Sequence, residues 1–239
     1  MKRSASAFAV LLLTVAMGLV SVSAALPSGY TEVGWVQATG SQWVLSGYTP
    51  ACTDRIEMKV RFLPAQYKNW TLFCARGTSA TTATFTCYWL NYYLYFNRNT
   101  DASTVSTISL DSSFYDRVVV ADGNTLTCSI DGVECQTMAG GSFDVGSELL
   151  FFASHTAGTN LNASTTVSNK GEFKFYYARI YNSSGTLVRE YVPVRDDSAA
   201  DGAVAQYGLY ETTTSTFHPN IGTTAFYAPT IVRVTPDAA

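Results

Sequence analysis

Hydrolysis of a glycosidic bond needs two carboxyl groups flanking it, about 5–5.5 Å apart for retention and farther for inversion. Glu32, Glu57, Glu134, Glu148, Glu172, Glu190 and Glu211 each stand without a second acid two to five residues on. A pair could still be assembled from distant strands. The histidines are His155, in the loop-like stretch SHTAGTN, and His218. Serine is plentiful, but no Gly-x-Ser-x-Gly elbow and no phosphate-cradling glycine loop occurs. Nucleophilic catalysis is therefore unsupported. Binding a sugar asks for less: an aromatic ring to lie on a pyranose face, and amides to read hydroxyls. In FTCYWLNYYLYF, residues 85–96, strict alternation puts Trp89, Asn91, Tyr93 and Tyr95 on one strand face. Such rings alternatively fill a core. Asp196, Asp197 and Asp201 in VRDDSAADG are candidate ligands for a calcium ion, or simply a solvated acidic loop.

The elements that must position these groups are short and apolar, separated by turn signals. Runs such as RIEMKVRFL (55–63), WTLFCA (70–75), RVVVA (117–121) and ELLFFA (148–153) alternate with Ser-Gly, Asp-Gly and Gly-Gly. No window has helical periodicity. The pattern predicts an all-β, two-sheet antiparallel sandwich or barrel. In 55–63, Ile56, Met58, Val60 and Phe62 point inward, while Arg55, Glu57, Lys59 and Arg61 face water.

Lys2 and Arg3 precede an apolar run from Phe8 to Val20, which ends in SVSAA. That is the form of a secretory signal over residues 1–25, cleaved after Ala24 or Ala25 and too short to span a bilayer comfortably. The expectation is a secreted or surface-exposed chain with no membrane span after cleavage and one domain over residues 26–239. A net charge of −3 offers no basic footprint for nucleic acid.

Export makes disulfides plausible for the five cysteines. In CSIDGVEC, Asp131-Gly132 is a strong two-residue hairpin turn that sets Cys128 opposite Cys135. A bridge is expected there, the alternative being two buried thiols. Cys74 and Cys87 end neighbouring runs and form a second candidate pair, leaving Cys52 over. A second hairpin, FKFYYARIYNSSGTLVREYVPVR (173–195), turns at Asn182–Gly185. A three-residue loop closed by a left-handed Gly185 pairs Asn182 with Thr186 and sets Arg179 against Arg189. Two like charges directly opposed require an intervening carboxylate, for which Asp196 and Glu32 are the candidates, with the guanidinium planes on flanking tyrosines.

The order of motifs resembles the laminin G-like, concanavalin A-like lectin/glucanase jelly rolls of secreted bacterial proteins. LPSGYTEVGWVQATGSQWVL stands where that family opens. Arg55-Ile56-Glu57, Leu72-Phe73-Cys74-Ala75-Arg76, LTCSIDGVE and Leu150-Phe151-Phe152-Ala153 follow in order. ARIYNSSGTLVREYVPV and DGAVAQYGLYETTTSTFHPNIGTTAF complete the match, which covers nearly all of residues 26–228. Leu45 stands where an acidic residue often occurs, and Cys74 replaces a glycine. The resemblance implies a two-sheet jelly roll, a structural aromatic slot for His218 and a loop able to hold calcium. It implies no activity, because this fold hosts lectins, glycosidases and adhesins alike. The glucanases of the fold carry Glu-x-Asp-x-(x)-Glu on one strand, and that string is absent. The leading reading is a non-catalytic module that recognises a glycan or glycoconjugate. The alternatives are an adhesion or interaction domain without a small ligand, and a hydrolase with carboxylates from distant strands.

Overall fold

The computed structural model describes residues 26–63, 69–77, 82–100, 103–108, 115–155, 167–198 and 205–229, so the expected signal segment lies outside the described residues. The strands are β1 (Tyr30–Glu32), β2 (Val36–Gln37), β3 (Val44–Leu45), β4 (Arg55–Phe62), β5 (Trp70–Arg76), β6 (Thr82–Leu90), β7 (Tyr93–Thr100), β8 (Ser103–Val105) and β9 (Asp116–Asp122). They continue as β10 (Thr127–Ile130), β11 (Val133–Thr137), β12 (Leu150–Phe151), β13 (Ser154–His155), β14 (Val167–Ser168), β15 (Phe173–Tyr181), β16 (Leu187–Asp196), β17 (Gln206–Glu211) and β18 (Thr216–Pro219). No helix among the described residues is long and apolar enough to cross a membrane.

The fold is an all-β antiparallel sandwich. The larger sheet runs β11-β10-β9-β4-β15-β16-β17-β18, with β1 added on β16 and β2 on β15. The smaller runs β3-β12-β5-β6-β7-β8, and β13 pairs with β14 alone. Alternation dictates what lies between the sheets. Ile56, Met58 and Val60 of β4 are fully buried, as are Phe173, Phe175, Ala178 and Ile180 of β15. Against them pack Leu72, Phe73, Phe85, Cys87, Leu94 and Phe96 of the smaller sheet. Phe151 meets Phe175 and Tyr191 edge-on, with ring centroids 5.8 and 5.0 Å apart. Each large apolar side chain removed from water contributes about 1.5–3 kcal/mol, which outweighs the ion pairs on the outer face. Those pairs include Arg61 and Lys59 on Asp116, at 2.6 and 3.2 Å.

Three local expectations are corrected by turns and bulges. Residues 85–96 are two strands, not one. Asn91 and Tyr92, both at left-handed φ (51° and 70°), form a two-residue turn between β6 and β7. The turn reverses the chain and pairs Trp89 with Leu94 and Tyr88 with Tyr95. Trp89 and Tyr95 therefore lie on opposite faces.

In the β15–β16 hairpin the turn forms as expected, with the Asn182 N–H donating to the Thr186 carbonyl and Gly185 at φ 79°. Tyr181 lies opposite Leu187, but a bulge then shifts the register. Arg179 faces Glu190, and Arg189 faces Ile180. The expected Arg179–Arg189 opposition does not occur, because one extra residue in the bulged strand slides every later partner along.

The cysteines are corrected by the same physics. The Asp131-Gly132 turn is present, both residues at positive φ, but a bulge after Cys128 sets it opposite Gln136 instead of Cys135. The Cys128 and Cys135 sulfurs are 3.7 Å apart, well beyond a disulfide bond of about 2.05 Å. Cys74 lies opposite Thr86, and Cys87 opposite Phe73. Cys74 thus shares the outer face with Thr86, while Cys87 points into the core. A Cys74–Cys87 bridge is excluded by that parity, and all five cysteines are free thiols.

Candidate binding site

The outer face of the smaller sheet carries an unusual combination: side chains that are polar and yet buried. Thr71 of β5, Thr84 and Thr86 of β6 and Asn97 of β7 are all exposed by 2% or less. They alternate along their strands with core residues, so the same periodicity that sends Phe85 and Cys87 inward sends Thr84, Thr86 and Tyr88 outward.

Thr71, Thr86 and Asn97 help to line a cavity of about 220 Å³. Thr71 and Arg76 come from β5, Thr86 and Tyr88 from β6, Asn97 from β7 and Ser154 from β13; Asn69 and Asn169 complete the lining from adjacent loops. The Tyr88 ring stacks on Tyr95 with centroids 5.1 Å apart and planes 15° from parallel. The cross-strand pair makes a rigid aromatic element beside the polar one. A second cavity of about 290 Å³, lined among others by Trp70, Lys170 and Glu172, shares Asn69 and Asn169 with the first.

Among the described residues the first cavity is hydroxyl- and amide-lined, with a single charged group, Arg76. Its backbone N–H donates to Ser147 Oγ at 2.9 Å, and its Nη1 lies 3.4 Å from the His155 carbonyl. Its Nε is shielded from water and has no hydrogen-bond partner among the described residues. Behind the wall, Thr86 Oγ1 donates to the Cys74 sulfur at 3.4 Å, and burial pushes the Cys74 thiol above its ordinary range. That cysteine is a neutral acceptor at pH 7 and not a nucleophile. Hydroxyls, amides, a tyrosine ring and one guanidinium can orient a polyhydroxylated ligand. Among the described residues the lining contains no carboxylate to protonate a leaving group or activate water.

The residues singled out from sequence are dispersed. Trp89 is 4% exposed and packs on Trp70 and Phe62, with centroids 4.8 and 5.1 Å apart. Asn91 is at the exposed tip of the β6–β7 turn, and Tyr93 is exposed on the strand that follows. Only Tyr95 adjoins the cavity, through Tyr88. The missed residues carried a signal in Phe85-Thr86-Cys87-Tyr88, where polar positions alternate with apolar ones.

Asp196 belongs to β16 and accepts from the Ser198 N–H at 2.8 Å, while Asp197 pairs with Arg195 and accepts from Thr31 Oγ1. Asp201 lies outside the described residues. Among the described residues no three of His, Cys, Asp and Glu converge as metal donors. His155 is buried in β13, and His218 lies edge-on to Tyr191 at 5.8 Å. Burial holds the His218 imidazole below its ordinary pKa.

No protein-family model and no curated protein matches this chain. Among solved structures, the CBM40 of the Ruminococcus gnavus IT-sialidase aligns over 63% of this chain and 90% of its own, with a TM-score of 0.45 and 10% identity. The same module bound to α2,3 sialyllactose aligns over 64% of this chain and 90% of its own, with a TM-score of 0.43 and 12% identity.

Proposed function

We propose that this chain is a non-catalytic carbohydrate-binding module, exported from its cell, whose sugar site is the cavity on the outer face of the smaller sheet. The observation that carries the reading is the placement of buried Thr71, Thr86 and Asn97 beside Tyr88 on three adjacent strands. Hydroxyl, amide and phenol groups held side by side on one face can exchange hydrogen bonds with a sugar's hydroxyls. Strands hold them at fixed separations, so little entropy is lost on binding. The ordered motifs from Leu26 to Phe226 support kinship with laminin G-like jelly rolls, and the Phe8–Val20 run behind Lys2 and Arg3 supports export.

A glycan array probed with the mature chain, followed by calorimetry on each hit, tests the reading. Binding that Tyr88→Ala weakens by about tenfold, with unfolding still cooperative, is the expected result. Silence across plant, host and microbial glycans would overturn it.

A further inference from the structure

Arg76 distinguishes this cavity from a site for a neutral sugar. It is the one charge among the described residues that line the first cavity, and no carboxylate of the described residues lies within ion-pair distance of it. The other described arginines of this sandwich are satisfied. Arg55, Arg61, Arg117, Arg179, Arg189 and Arg195 each lie beside a carboxylate. Arg98, which forms no ion pair among the described residues, is held by the carbonyls of Cys52, Ala139 and Gly141. Arg76 makes one long side-chain contact, through Nη1, and leaves Nε buried and unpartnered.

A guanidinium presents Nε–H and one Nη–H as a fork that matches the two oxygens of a carboxylate. A neutral hydroxyl fills one prong only. We infer, on the basis of the carbohydrate reading above, that the ligand is an acidic glycan whose sugar carboxylate is bound by Arg76. The surrounding threonines and asparagines read its hydroxyls. Because Asn69 and Asn169 line both cavities, the chain of the glycan continues from the first into the second, where Lys170 and Glu172 meet the adjoining residue. The acidic unit takes the first cavity, since its described lining holds a cation and no anion, whereas Glu172 would repel a carboxylate in the second.

The test uses the whole mature chain with sialyllactose and oligogalacturonate as acidic probes, each beside its carboxyl-reduced derivative. Titration calorimetry at low and moderate salt reads the affinity. At least one acid should bind more tightly than its reduced form by roughly 30-fold or more, the loss expected when a buried charge is left unpaired. Arg76→Gln should abolish that preference, bringing the acid and its reduced form to within about threefold of one another. Comparing acid with reduced ligand on the unaltered protein keeps the test valid even if Arg76→Gln fails to fold. Equal affinity for acid and reduced forms, or binding of the reduced forms alone, would overturn the acidic assignment and leave the carbohydrate reading standing. Binding of none of these probes, together with a silent array, would overturn both.

Discussion

Arg179 and Glu190 face one another across β15 and β16, with Nε donating to the carboxylate at 2.8 Å. Glu57 lies on the other side of the same guanidinium, 3.9 Å from Nη1, and the Tyr177 ring lies beneath it at 4.6 Å. Arg189 stacks instead on Tyr48 at 5.0 Å and approaches Glu211 at 3.9 Å. Arg179 and Arg189 thus lie on opposite faces of the sheet, the first against Glu190 and Glu57 and the second against Glu211, and neither Asp196 nor Glu32 stands between them. The Arg179–Glu190 pair is the clasp across the hairpin. Glu190→Ala should lower stability by about 1–2 kcal/mol, because it leaves a half-buried guanidinium without its nearest acceptor. Urea unfolding of Glu190→Ala, Arg179→Ala and the double variant measures the coupling, and an additive double variant would contradict it.

Glu211 is fully buried. Burial alone would raise its pKa, but the hydroxyls of Thr213 and Thr214 and the backbone N–H groups of Thr213 and Glu190 hold it below the ordinary glutamate value. A carboxyl depressed in the folded state contributes stability above its unfolded pKa and loses it as pH falls through the folded one. The unaltered chain should therefore lose stability below about pH 4.5. In Glu211→Gln that part of the acid dependence should flatten, and stability at pH 7 should fall by about 1–3 kcal/mol. Denaturant titrations from pH 3 to 7 read both effects.

Adjacent residues Tyr88 and Trp89 should behave oppositely. Trp89→Ala opens the core beside Trp70 and Phe62 and should cost about 3–5 kcal/mol. Tyr88→Ala removes an outer ring stacked on Tyr95 and should cost only about 1 kcal/mol, while weakening glycan affinity. Chemical denaturation and calorimetry on the two variants separate packing from binding.

The β6–β7 turn places Asn91 at φ 51°. Asparagine tolerates that region and a β-branched residue does not, so Asn91→Val should cost about 1–2 kcal/mol. Asn91→Gly should be neutral within about 0.5 kcal/mol. Thermal unfolding of the two variants is the check.

Cys52 is half-buried, whereas Cys74, Cys87, Cys128 and Cys135 are buried. Burial pushes the Cys87 thiol well above its ordinary value. Iodoacetamide should label Cys52 first in the native chain, and the other four only on unfolding. Peptide mass spectrometry after timed quenching would show the order.

The amino-acid sequence by itself determined the fold class and much of the core. Alternation in RIEMKVRFL sorts β4 into a core face and a solvated face, and Asp131-Gly132 and Asn182–Gly185 mark their hairpins through residues that accept left-handed φ. What only the tertiary structure decided is register, and register decides which side chains meet. The Asn91-Tyr92 turn contains no glycine, so FTCYWLNYYLYF reads as one strand, and every residue beyond the hidden turn is assigned the wrong face. The bulges at Cys135 and Val188 are equally silent, because an extra residue is accommodated by long-range pairing and not by local propensity. The cavity depends on the same long-range pairing. Thr71, Thr86 and Asn97 are ordinary alternating polar positions in the sequence, and they become a site only where β5, β6 and β7 lie side by side around Arg76.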